Sequence, residues 1–166
     1  MRPIEFHPIG TIRTPFKRIE GMPIQPGRTQ AAEGEVVVDQ AYEAGLEDIE
    51  GFSHLILLYH FHQVEGFDLK VTPFLDDRKR GLFATRAPRR PNAIGISIVS
   101  LLGREGNVLR VSGIDVLDRT PLLDIKPYVQ AFDAPQATSC GWLQDKAGQS
   151  GAARSDGRFG KEVKKS

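Results

Sequence analysis

The sequence predicts an all-β fold, mainly an antiparallel β-barrel with one or two short helices. Three observations carry that expectation. Apolar residues recur with strand spacing through most of the chain up to Asp133. The strand-length runs are punctuated by Gly, Pro, Asn and Asp turn signals. Only one stretch, the acidic QAYEAGLEDIEGF, has a helical look. With 166 residues there is room for one domain with a real core and little room for two.

Taken in order, IEFHPIGTIRTPF reads as an opening strand interrupted near Pro8 and Gly10 and ended by Pro15; a proline within such a pattern marks an edge or a bulge. GEVVVD is a short β-branched strand. QAYEAGLEDIEGF is the best helical segment, broken at Gly45. SHLILLYHFHQ is a long strand with apolar residues at both parities, which predicts burial of both faces. NAIGISIVSLLGREGNVLRVSGIDVL reads as a hairpin turning at Gly-Arg-Glu-Gly-Asn. PLLDIKPYVQAF adds one more extended piece. Beyond it the composition shifts to Ala, Gly, Ser, Gln and Lys. The expected organisation is therefore a barrel domain over 1–135 and a polar, basic, disordered tail over 136–166, with Trp142 its one large anchor.

The net charge of +1 conceals two opposed runs. From Glu33 to Glu50 there are seven acids and no Lys or Arg. From Arg78 to Arg90 there are six cations and no acid. The single cysteine, Cys140, excludes an intrachain disulfide and fits a reducing compartment. MRPIEFHPIG lacks the apolar stretch of a secretory signal, and Leu55 to Tyr59 is too short to cross a bilayer. A soluble, cytoplasmic protein without a membrane partner is expected. No GxGxxG unit, Walker-type loop, CxxC pair or GxSxG elbow occurs, so a nucleotide-like cofactor would not sit in a Rossmann crevice.

Four patches are rich in chemistry. His54, His60 and His62 share one strand parity, and His60 with His62 makes the spacing of a metal-binding pair; a third ligand is hard to find, so no metal is expected. FATRAPRRPNAIGIS holds Arg86, Arg89 and Arg90 among prolines that stiffen the backbone, an arrangement suited to carboxylate or phosphate groups. In GIDVLDRTPLLDIKPY, Asp115, Asp118 and Asp124 surround a turn at Arg119, Thr120 and Pro121. These carboxylates either cap the turn or receive a cation, an amine or ribose hydroxyls. PIQPGRT has the Pro-Gly signature of a rigid loop.

Taken together, FSHLILLYHFHQ, GLFATRAPRRPNAIGISIVSLL and DVLDRTPLLDIKPYV, with PIGTIRTPFK and PIQPGRT, resemble the TsaA-like (TrmO) family of tRNA methyltransferases over nearly all of residues 1 to 133. The resemblance implies a non-Rossmann β-barrel, a homodimer, and transfer of a methyl group from S-adenosylmethionine to N6 of threonylcarbamoyladenosine at position 37, beside the tRNA anticodon. It places cofactor contacts at Gln25, Pro26, Gly27, His62, Gln63, Arg86, Asp118, Arg119, Thr120 and Pro121. The family pattern has Gly where this chain has Arg119. Asp118 and His62 are the candidates for taking the acceptor's proton. Arg78, Lys79, Arg80, Arg89 and Arg90 are expected to face the phosphates of the anticodon arm. The alternatives are an RNA-binding or S-adenosylmethionine-binding module without turnover, and a His-x-His metal-dependent barrel enzyme.

Overall fold

A computed structural model describes residues 2–19, 32–136 and 139–144. Six strands close into an antiparallel barrel: β1 (Gly10–Arg13), β2 (Glu33–Val38), β3 (His54–His60), β6 (Ile94–Glu105), β7 (Val108–Ser112) and β8 (Thr120–Pro127). Around the wall the order is β1, β2, β7, β6, β3, β8, and β8 pairs back onto β1. Closure leaves no long unpaired strand edge, which a sheet of this size must otherwise protect. A two-stranded ribbon, β4 (Lys70–Val71) with β5 (Arg80–Gly81), lies in the long excursion between β3 and β6.

Alternation along the strands explains the interior. Ile12, Val36, Val38, Leu55, Leu57, Val99, Leu109, Val111 and Leu122 are almost wholly buried, and each faces inward at the two-residue period of a strand. Ile114, Val116 and Leu46 plug the core from the connections. The excursion has its own small core of Val71, Leu82 and Ala87 with Phe74 against it. There Asp76 is buried and receives both Arg80 Nε and Nη2 at 2.7 Å. A buried carboxylate demands such a partner, so this pair holds the loop leading to Arg86.

Four expectations change. The opening strand is only Gly10–Arg13. The acidic segment forms 3-10 turns over Gln40–Leu46 and Ile49–Gly51 rather than an α-helix. The outer face of β3 is half-buried or exposed, whereas Leu55, Leu57 and Tyr59 are buried, so only one face of that strand is enclosed. The extended piece stops at Pro127, and Gln130–Asp133 make a short α-helix, α1. The β6–β7 hairpin turns at Gly106 and Asn107, with Gly106 at φ 57°, a left-handed turn position that glycine reaches at little cost.

Because neighbouring strands run in opposite directions, the connections sort to two ends of the barrel. The acidic segment joins β2 to β3 at one end, and the cationic loop enters β6 at the other. Most of the acidic run, from Asp39 to Glu50, is thus held away from the cationic loop, while Glu33 and Glu35 at the start of β2 lie toward the mouth end.

Candidate active site at the barrel mouth

The end that receives the cationic loop is also where β3 finishes and β8 begins. His62 and Gln63 follow β3, Arg86 precedes β6, and Asp118 to Pro121 lead into β8. The connection from β1 to β2 opens at this end too; Gln25, Pro26 and Gly27 belong to it but lie outside the described residues. The mouth therefore gathers the described residues of three separate sequence patches.

β3 stops at His60, so the alternation that would set His60 and His62 on one face stops with it. His60 is exposed and His62 half-buried. Burial, and then the neighbouring His60, lower the His62 pKa, which keeps its imidazole neutral at physiological pH. His54 sits at the opposite end of the strand, with Nδ1 2.9 Å from Ser53 Oγ and Nε2 3.2 Å from Ser100 Oγ.

Asp118 acts as a latch. Its Oδ1 accepts the amide of Thr14 at 3.0 Å, and its Oδ2 lies 2.6 Å from Lys17 Nζ. These contacts, the Lys17 one foremost, hold its pKa below the usual carboxylate range. Such a carboxylate is a weak proton acceptor. Next to it, Arg119 has φ 62°, a left-handed conformation that costs a residue with a β-carbon about 1–2 kcal/mol. Thr120 is buried and donates its hydroxyl to Leu117 O at 2.7 Å.

In the cationic corner the arginines differ in what they touch. Arg86 is exposed and has no ion pair among the described residues. Arg89 pairs with Asp68 at 3.4 Å, while its Nε is a buried donor without a hydrogen-bond partner among the described residues. Arg90 donates from Nη1 to the carbonyls of Thr85 at 3.0 Å and Ala87 at 3.2 Å, and stacks near Phe83. Arg80 is turned onto Asp76 and Trp142, whose Nε1 donates to Ala84 O at 2.8 Å. Arg78 and Lys79 are exposed. Of the five residues expected to face RNA, three thus brace the protein.

Inside the mouth Asp115, one of the three acids singled out around the turn, belongs to a cluster that the motifs did not reveal. The inward-facing Ser97 of β6 donates to Asp115 Oδ1 at 2.6 Å, and its oxygen is 3.0 Å from Tyr59 Oη. Ser97 has a single proton and gives it to the carboxylate, so Tyr59 must be the donor in the second bond. Burial, opposed by the Ser97 hydrogen bond and by Arg86, raises the Asp115 pKa to about 6. Burial, with the Asp115 charge, pushes the Tyr59 phenol far up. The sequence signal was a lone serine in Ile-Ser-Ile and a tyrosine in an apolar strand, which the ladder sets two positions apart, with Tyr59 opposite Gly95 and Ser97 opposite Leu57.

Similarity to known proteins bears directly on this mouth. The family described as tRNA-methyltransferase O N-terminal domain matches residues 11–134. The chain belongs to that family.

Its relatives include a probable S-adenosyl-L-methionine-binding protein of Pyrococcus abyssi, 50% identical over 93% of this chain and 84% of the relative. The tRNA (adenine(37)-N6)-methyltransferase of Mus musculus is 37% identical over 80% of this chain, which spans 32% of the mouse protein. The crystal structure of TrmO from Pseudomonas aeruginosa superposes with a TM-score of 0.72 at 40% identity, covering 85% of this chain and 63% of that one. Membership accounts for the closed antiparallel barrel and for the order of the motifs around its mouth. Arg119 stands in this region with a positive φ that glycine adopts more readily.

Proposed function

We propose that this protein is an S-adenosylmethionine-dependent tRNA methyltransferase that methylates N6 of adenine 37, its substrate adenine carrying a threonylcarbamoyl group. The observation that carries the reading is the convergence of His62, Gln63, Arg86 and the Asp118–Pro121 turn on one mouth of a closed barrel. The mouth suits the cofactor. Arg86 offers an exposed guanidinium without an ion pair among the described residues, a donor suited to a carboxylate. When bound there, S-adenosylmethionine supplies an electrophilic methyl group.

The residues of the chain do the positioning. Aligning acceptor, methyl and sulfur can contribute about 7–11 kcal/mol to such a displacement. Arg86 anchors the amino-acid end of the cofactor, with Gln25, Pro26 and Gly27 completing the site. Asp118 shapes its side of the mouth by tying the turn before β8 to Thr14 and Lys17. Exposed Arg78 and Lys79 supply charge for the tRNA backbone, and Arg80, Arg89 and Arg90 hold the loops that present it.

The working unit is a homodimer. Ile94, Ile96 and Ile98 are 38%, 49% and 45% exposed on the outer face of β6, beside Ile56 and Leu58 of β3. A contiguous exposed apolar wall of this kind marks an association surface. No helix among the described residues is long and apolar enough to cross a membrane. The site of action is the cytoplasm, where tRNA is modified. The test is nucleoside mass spectrometry of tRNA after incubation with protein and S-adenosylmethionine. A gain of one methyl on threonylcarbamoyladenosine is expected; unchanged nucleosides would leave a binding module.

A further inference from the structure

The Tyr59–Ser97–Asp115 chain has features that neither barrel stability nor cofactor anchoring requires. Ile114 and Val116 are driven into the core on either side of Asp115, which pins the carboxylate between them at the mouth. Asp115 itself is half-buried rather than sealed within the core. The groups facing it are Ser97 from β6, Tyr59 from β3 and Arg86 from the loop before β6. An all-apolar plug would be simpler to bury, and a carboxylate needed only for charge would pair directly with Arg86. Instead a neutral hydroxyl chain holds it in one orientation while leaving Arg86 without an ion pair among the described residues. The two carboxylate and imidazole alternatives at the mouth differ in kind: Asp118 is committed to Thr14 and Lys17, and His62 lies beyond the strand end.

We propose that Asp115, oriented by Ser97 and Tyr59, accepts the proton that the acceptor nitrogen loses during methyl transfer. This rests on the methyltransferase reading above. As the nitrogen–carbon bond forms, the carbon–sulfur bond breaks and its electron pair goes to sulfur. The N6 proton passes to the carboxylate and then to water, and the adenine leaves neutral. Burial that holds the carboxyl's affinity near the working range, as its raised pKa indicates, makes it a better acceptor than an ordinary aspartate.

The experiment is single-turnover methylation of tRNA carrying threonylcarbamoyladenosine, at saturating S-adenosylmethionine, as a function of pH. Cofactor affinity is measured in parallel by calorimetry. Asp115→Asn should slow the reaction by at least about 100-fold while cofactor affinity stays within about threefold. Ser97→Ala keeps the carboxylate but removes the donor that favours its ionised form. It should move the acid limb of the rate profile to higher pH. The Asp115 carboxyl titration, followed by carbon NMR in cofactor-free protein, should move the same way. This second variant decides the matter if the first fails to fold. A fast Asp115→Asn enzyme, a loss confined to cofactor affinity, or a Ser97→Ala protein with both profiles unmoved would overturn the assignment. An inactive wild type would instead sink the methyltransferase reading.

Discussion

The ring of Tyr59 lies against the backbone of Gly95, on the neighbouring strand, so closely that no side chain fits between them. A β-carbon added at Gly95 would sit 2.6 Å from Tyr59 Cζ and 2.8 Å from Phe61 Cζ, and closer still to Tyr59 Cε2. Tyr59 and Gly95 are direct partners in the β3–β6 ladder. Gly95→Ala should therefore push the ring aside, with a cost of about 1–3 kcal/mol for overpacking, and loosen the Tyr59–Ser97 bond. Thermal melting checks the first effect. A variant as stable as wild type would show that the ring relocates freely.

Arg119 invites the opposite substitution. Its positive φ disfavours a residue with a β-carbon, and its side chain is 87% exposed, with Asp118 at 3.9 Å as its one ion-pair partner among the described residues. Arg119→Gly relieves the strain but loosens the unfolded chain, so a net gain of about 0.5–1 kcal/mol is expected. Chemical denaturation measures it, and a decrease in stability would mean the arginine does more than its surroundings reveal.

Arg86 and the exposed pair Arg78 and Lys79 should fail differently. Arg86→Ala should weaken S-adenosylmethionine binding at least about tenfold, since a hydrogen bond to a charged group contributes about 1.5–3 kcal/mol. Arg78→Ala with Lys79→Ala should spare the cofactor and flatten the salt dependence of tRNA binding, by about one unit of slope for each phosphate no longer neutralised. Arg90→Ala, by contrast, should lower the melting temperature, because it strips donors from the Thr85 and Ala87 carbonyls. Calorimetry, a salt titration and a melt separate the three.

Fold stability should carry an imprint of Asp115. Its folded pKa, about 6, stands above the ordinary 3.8. The unfolded chain therefore ionises first as pH rises. Asp115's contribution to stability is full below about pH 4 and is lost as pH climbs through about 6. The lowered pKa of His62 acts in the opposite sense near neutrality, so the useful quantity is the difference between wild type and Asp115→Asn. That difference should not vary with pH in this window if the carboxyl is in fact freely hydrated.

The outer wall of β3 and β6 gives a further expectation. Ile96→Lys with Ile98→Lys changes only exposed positions, so the barrel should keep its melting temperature. Sedimentation should show a dimer converted to a monomer. A wild-type monomer at micromolar concentration would remove the dimer from the proposal.

Much of this was legible in the sequence because strands with one buried face announce themselves by alternation. The hairpin that turns at Gly106 follows from that pattern, whereas β3, apolar at both parities, gave no sign of its pairing with β6 or of which face it buries. The acidic segment misled because a short, weakly amphipathic run has too little apolar surface to choose an α-helix over 3-10 turns; only Leu46 is buried in it. The cationic corner was recognisable as a unit, yet the division of labour within it was not. Whether Arg90 faces solvent or its own loop depends on where the Thr85 and Ala87 carbonyls point, which no residue pattern encodes. Asp115 was visible only as one of three acids around a turn. Its hydrogen bond with Ser97 reaches from the connection after β7 back to β6, a meeting set by the register of the β6–β7 hairpin rather than by any residue pattern.

That closure has a temporal side. β8 is the strand that seals the wall, pairing with β3 on one flank and β1 on the other, with Gly10 opposite Leu122. Until residues through Pro127 have emerged during synthesis, β1 and β3 each present an open row of amides and carbonyls. The nascent chain must carry both exposed rows together, a state prone to pairing with other chains and slow to resolve because the last pairings span almost the whole domain. The strand that completes the mouth is thus also the one on whose arrival solubility of the newly made protein depends.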